Sequence, residues 1–190
     1  MKRDVRFLAF DDSPFAFEDP TVRVVGVVTR GPTYVEGVLS THVKTDGNDA
    51  TGKLAEIIMQ SRFRAMLRVI FLNGVTMGGF NVIDLDRLHD ETNIPLVSIV
   101  RRMPDEETSE SALRKHFPDA SLRLEVLRRQ RPKPIRNGSF KIWCTWRGLE
   151  EREAQILVET ATVRGAIPEP LRLAHVIASG IARGHSRGPA

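Results

Sequence analysis

Arg6-Phe7-Leu8-Ala9-Phe10-Asp11-Asp12-Ser13-Pro14-Phe15 is an apolar run that ends in two adjacent carboxylates. Little polar alternation predicts a strand covered on both faces, and Pro14, which cannot donate to a ladder, stops it. Asp11 and Asp12 therefore fall at the strand's end. Successive residues point to opposite faces, so at most one of the two looks into a given site. The other role open to both is turn formation ahead of Pro14.

Outward from this run, Thr21 to Thr29 and Tyr34 to Lys44 are rich in β-branched residues and are separated by the turn signal Arg30-Gly31-Pro32-Thr33. With the first strand they make an antiparallel meander. A polar turn, Asp46 to Thr51, feeds a helix of about sixteen residues with Leu54, Ile57, Ile58, Ala65 and Met66 on or near one face, and Asp49 or Thr51 as its N-cap. Leu67 to Leu72 predicts a buried strand broken at Asn73-Gly74. Met77-Gly78-Gly79-Phe80-Asn81 opens a shorter helix to about His89, Pro95 to Arg101 is the next strand, and a helix follows near Glu106 to His116. The order β-β-β-α-β-α-β-α predicts an α/β fold: a mixed five-stranded sheet with helices on both faces.

Residues 118 to 138 are read as irregular, because Pro132 and Pro134 forbid a regular helix there. Ser139 to Trp146 is a further strand, expected at the edge. A helix over about Glu150 to Val163 and a last one opened by Pro168-Glu169-Pro170 close the chain, the latter carrying Leu171, Ala174, His175, Ala178 and Ile181 inward. Length fits one domain over residues 1–184 with a loose tail over 185–190. No apolar run reaches membrane-spanning length and no signal peptide opens the chain, so a cytoplasmic protein is expected. A single cysteine, Cys144, excludes an internal disulfide and any multi-cysteine metal site.

Charge is uneven. Residues 1–50 hold eight Asp and Glu against six Lys and Arg, whereas 121–147 hold eight Lys and Arg against Glu125 alone. An acidic pocket beside a basic flank suits a metal-dependent enzyme acting on a polyanion, with Arg128, Arg129, Arg131 and Lys133 placed to hold phosphates. A solvated basic face is the alternative.

Several strings resemble endonuclease V of the ribonuclease H-like superfamily, and more closely an archaeal endonuclease V-like family. Phe7 to Asp11 resembles the first strand ending in the metal-binding Asp. Pro32 to Gly37 resembles the Tyr-x-Pro-Gly wedge, with Tyr34 as its aromatic residue and Glu36 replacing the proline. Ile167 to His175 resembles the last helix, whose Pro-Glu-Pro opening precedes an active-site residue, here His175. The resemblance implies a nuclease for DNA repair that acts near deaminated adenine (inosine), using Mg²⁺ or Mn²⁺. Asp11 is the first ligand, Asp49 the second with Asp46 competing, and Asn73-Gly74 stands where the family has Asp-Gly. Arg101 takes the place of a strand-end lysine near the phosphate. Since Asn offers a neutral amide oxygen, the cation should be held more weakly. The family's lesion-pocket loop is shortened after Gly74. A catalytically inactive nucleic-acid-binding protein on the same fold is the second function class.

Overall fold

The computed structural model describes residues 5–186. Its strands are β1 (Arg6–Asp12), β2 (Thr21–Arg30), β3 (Tyr34–Lys44), β4 (Leu67–Asn73), β5 (Thr76–Met77), β6 (Asn81–Val82), β7 (Leu96–Val100), β8 (Lys133–Asn137) and β9 (Phe140–Arg147). Its helices are α1 (Ala50–Gln60), α2 (Leu85–Thr92), α3 (Glu106–His116), α4 (Ala120–Arg129), α5 (Glu151–Ala161) and α6 (Glu169–Arg183). The main sheet has the order β3-β2-β1-β4-β7-β9-β8. β1 pairs antiparallel with β2 and parallel with β4, β4 is parallel to β7, and β9 runs antiparallel to β7. The five-stranded core of the expected topology is present, with β9 and β8 added beyond β7.

The apolar run of β1 is explained by what covers it. Leu8 and Phe10 enter a core with Leu54, Ala55 and Ile58 of α1 and Leu85 and Leu88 of α2. Phe7 and Ala9, on the other face, pack with Ala154, Leu157, Val158 and Ala161 of α5 and Leu171 of α6. Both sets are fully removed from water, which is why polar alternation is lost.

Several expectations are corrected. The helix after the Asp46 turn is eleven residues, and Arg64–Met66 forms a separate 3-10 turn with Met66 exposed. Met77 to Asn81 does not open a helix: Thr76–Met77 and Asn81–Val82 pair as a hairpin whose turn uses Gly78 and Gly79 at positive φ. The helix that follows starts at Leu85, where the Asp84 side chain accepts from Asp86 N and Arg87 N. Within residues 118–138, α4 forms before the prolines take effect. Pro134 lies in β8, which is the edge strand in place of β9. On α6, Leu171, Ala174 and Ala178 are buried but Ile181 is 56% exposed. Beyond Gly184, Ser186 Oγ donates to Val176 O at 2.7 Å; the rest of the expected tail, residues 187–190, lies outside the described residues. No helix among the described residues is long and apolar enough to cross a membrane.

Candidate active site

The parallel register of β1 and β4 pairs Phe10 with Leu72, so Asp11 and Asn73 emerge side by side at the ends of neighbouring strands. Asp11 shares the face of Phe7 and Ala9, and Asn73 that of Phe71, the face covered by α5 and α6. His175 lies on α6 within the stripe of Leu171, Ala174 and Ala178 and is presented to the same place. Asn73 Nδ2 donates to Asp11 Oδ1 at 3.0 Å, and His175 Nδ1 meets Asp11 Oδ2 at 2.8 Å. Asp12 N also donates to Asp11 Oδ1.

Asp11 is only 2% exposed. Burial raises its pKa, partly opposed by the hydrogen bond from Asn73 and by the hydrogen bond and charge of His175. Against an ionised Asp11, His175 carries its proton on Nδ1, which leaves Nε2 as the basic nitrogen. That Nε2 is buried and has no hydrogen-bond partner among the described residues. A carboxylate thus orients an imidazole, the arrangement in which the second nitrogen can exchange a proton with a group that reaches it.

Asp12 faces the other way and was passed over in the sequence. Its Oδ2 accepts from Gly78 N at 2.7 Å in the β5–β6 turn. Desolvation pushes its pKa up to about 6, aided by the Asp11 charge and opposed by the Gly78 hydrogen bond. Asp46 and Asp49 hold the same hairpin. Asp46 Oδ1 accepts from Phe80 N at 2.7 Å, and Asp49 Oδ1 accepts from Lys44 N and from Asn81 Nδ2. Asp49 occupies the N-cap position of α1 without capping it, and Asn81 Oδ1 instead accepts from Ala50 N. Gly79 is fixed by this arrangement, for a Cβ there would lie 2.2 Å from Asp46 Oδ1.

The expected oxygen pocket of Asp11, Asp49 and Asn73 with Asp46 in reserve is therefore not assembled. Among the described residues no three His, Cys, Asp or Glu side chains form a group able to hold a metal ion. The Asp11 and Asn73 pair still fits one weakly held cation. Both side chains offer hard oxygen donors of the kind Mg²⁺ takes, although the Asn73 amide as placed turns Nδ2 rather than its oxygen to Asp11. An amide can turn its oxygen inward, and Mg²⁺ ordinarily keeps several waters.

The other expected residues lie elsewhere. Arg101 follows β7 as an exposed bend residue. Tyr34, 59% exposed, starts β3 with the Arg30 guanidinium 5.0 Å from its ring, and Glu36 is ion-paired to Arg6 and Arg30. Register places this supposed wedge at the far end of the sheet: Tyr34 pairs with Arg30 and Arg30 with Arg6, which is about 17 Å along β1 from Asp11. Three arginines of the basic segment already have a carboxylate: Arg128 with Glu110, Arg129 with Asp84 and Arg131 with Glu106. Lys133 lies over the Trp146 ring. Gly74 borders a cavity of about 230 Å³, on the opposite face of the sheet from His175, whose walls include Ser98, Val100, Gln130, Trp143 and Thr145.

A family model described as Endonuclease dU matches residues 3–182. The chain belongs to the Endonuclease dU family. A "UPF0215 protein" of Thermococcus gammatolerans is 46% identical over 190 residues, covering 98% of this chain and 96% of that one. A solved structure from Archaeoglobus fulgidus, described as a protein of unknown function, has a TM-score of 0.83 at 41% identity and covers 93% of this chain and 98% of its own. Endonuclease V of Ciona intestinalis, in complex with a 24mer DNA containing an inosine followed by a ribo-adenosine, has a TM-score of 0.57 at 14% identity, covering 90% and 82%. At that identity the likeness is one of fold. The family is archaeal and endonuclease V-like, and its fold is ribonuclease H-like, as the motifs implied.

Proposed function

We propose that the chain is a nuclease that hydrolyses a phosphodiester bond of deoxyuridine-containing nucleic acid at Asp11, Asn73 and His175. The observation that carries this reading is the buried Asp11 carboxylate held between the Asn73 amide and the His175 ring at the ends of adjacent strands in an endonuclease V-like fold. His175 Nε2, oriented by Asp11, takes a proton from the attacking water; the water oxygen bonds to phosphorus, the bond to the leaving oxygen breaks, and that oxygen takes a proton from solvent. Asp11 and Asn73 would hold a divalent cation, Mg²⁺ or Mn²⁺, which when bound supplies positive charge to the scissile phosphate.

Deoxyuridine follows from the family's description, and it shares with the inosine of the Ciona complex a carbonyl where the parent base carries an amino group. The cavity beside Gly74 would receive the base, with Trp143 as a wall and Ser98 as a hydrogen-bonding group. The test is cleavage of end-labelled single- and double-stranded DNA, and of RNA, carrying one deoxyuridine, one inosine or neither, with Mg²⁺, Mn²⁺ or EDTA. The reading expects a metal-dependent cut at the deoxyuridine substrate; no cut on any substrate refutes it. A second reading, a binding protein with a disabled site, is favoured by Asn73 itself and by the engagement of Asp46 and Asp49 with the hairpin. Binding without cleavage in the same panel would select it.

A further inference from the structure

We propose that Ser13, Arg23 and His42 form a second binding site, for a backbone phosphate of the single nucleic acid strand whose scissile phosphate lies at Asp11; this rests on the nuclease reading above. Ser13 N donates to Arg23 O at 2.8 Å, so the chain stays paired with β2 past the end of β1. Ser13 is two residues beyond Asp11 and on the same face, about 7 Å along the strand and so roughly one nucleotide away. Arg23 and His42 are directly opposed on β2 and β3. Arg23 shares the side of Val25 and Val27, which pack against Ala174 and Ala178 of α6, so all three residues lie on the face that carries His175.

These residues line one cavity of about 380 Å³, closed along one side by Ile181 and Ala182 of α6. Ser13 is 5% exposed and its Oγ is buried without a hydrogen-bond partner among the described residues. A hydroxyl removed from water in this way costs free energy that a ligand oxygen would recover. Arg23 spends one donor on Ser40 Oγ at 3.1 Å, and among the described residues no carboxylate pairs with it. That sets it apart from Arg128, Arg129 and Arg131, whose charges are already met. The one acid on the cavity wall, Asp19, has its Oδ2 occupied by Ala16 N at 2.8 Å.

A guanidinium with free donors, an imidazole and an unsatisfied hydroxyl around one hollow suit a phosphate better than any neutral group. Phe15 also lines the hollow, and Phe17, 73% exposed, stands edge-on to it with ring centres 5.5 Å apart. An exposed ring beside a cationic groove is a platform for an unpaired base, which is why the occupant is a single strand.

The experiment is fluorescence anisotropy of a labelled single-stranded DNA containing one deoxyuridine, in EDTA, across a salt series, with circular dichroism of every variant. For wild type, log K should fall linearly with log salt. Arg23→Gln should flatten that line by about 0.7, one phosphate's share on a single strand, and Arg23→Lys should restore it. Phe17→Ala should weaken binding by about tenfold at every salt without changing the slope. A wild-type slope that survives both Arg23→Gln and Ser13→Ala overturns the subsite while leaving the nuclease reading intact, and a loss that Arg23→Lys does not restore also overturns it. Wild type that binds no nucleic acid even at low salt overturns the nuclease reading as well.

Discussion

Replacing Asn73 by Asp sets a second carboxylate against Asp11 where the Asn73 amide now donates to Oδ1 at 3.0 Å. Two unit charges that close repel by ~5 kcal/mol at an effective dielectric of about 20. The protein escapes most of that by keeping one proton on the pair, at ~1.4 kcal/mol for each unit by which its pKa falls below the working pH. Burial already raises the pKa of Asp11, which lowers the cost of keeping that proton. The lost amide hydrogen bond adds about 1 kcal/mol. In EDTA at pH 7, Asn73→Asp should therefore be less stable than wild type by roughly 2–3 kcal/mol, or about 5–10 °C for a domain of this size. With Mn²⁺ the added carboxylate becomes a ligand, and at a hundred times Kd the ion returns about 2.7 kcal/mol. The assay is thermal and urea unfolding in EDTA and through a Mn²⁺ titration. A variant that melts with wild type in EDTA and responds no more strongly to Mn²⁺ would show that the Asn73 amide does not sit against Asp11.

Three further outcomes are expected. The folded-state pKa of Asp12, about 6, lies above the ordinary carboxylate value, so its contribution is present at low pH and is lost as pH rises from about 4 through about 6. Asp12→Asn should remove up to about 3 kcal/mol of that dependence while keeping an acceptor for Gly78 N, as read by urea unfolding across this window. Burial pushes the Cys144 thiol up to about 12, so at pH 8 a thiol reagent should label it only after unfolding. Glu106→Gln with Glu110→Gln should free Arg131 and Arg128 and steepen the salt dependence of nucleic acid binding by up to about 1.5 in log–log slope; no change would mean these arginines do not face the polyanion.

Much of the scaffold was legible because its signals were local. The doubly covered β1, the meander and α3 follow from hydrophobic pattern and capping, with Asp105 accepting from Thr108 N as the start of α3 requires. Asp11, Asn73 and His175 were legible as one group because strand ends and an inward helix stripe converge in this topology. What escaped depended on register and on side-chain competition. Gly78-Gly79 suits a helix start or a hairpin turn equally in one dimension, and the three carboxylates that grip the turn decide it. Asp49 looked like a metal ligand only until Asn81, thirty-two residues on, claimed it. Tyr34 lies far from Asp11 because antiparallel pairing carries a hairpin tip to the far end of its neighbour, and the same register brings Arg23 and His42 to the near end. The basic run read as a phosphate grip because its partners, Glu106 and Glu110, come from a helix that the sequence could not place against it.

The most direct test of the Asp11 group is single-turnover cleavage of an end-labelled DNA with one deoxyuridine, in Mn²⁺, by wild type and Asp11→Asn, a near-isosteric change that keeps the strand end folded. Wild type should cut at one fixed position relative to the deoxyuridine, and Asp11→Asn should slow that cut by at least about a thousandfold, since both the cation and the orientation of His175 depend on this carboxylate. Cleavage by Asp11→Asn at the wild-type rate would place the chemistry elsewhere in the molecule.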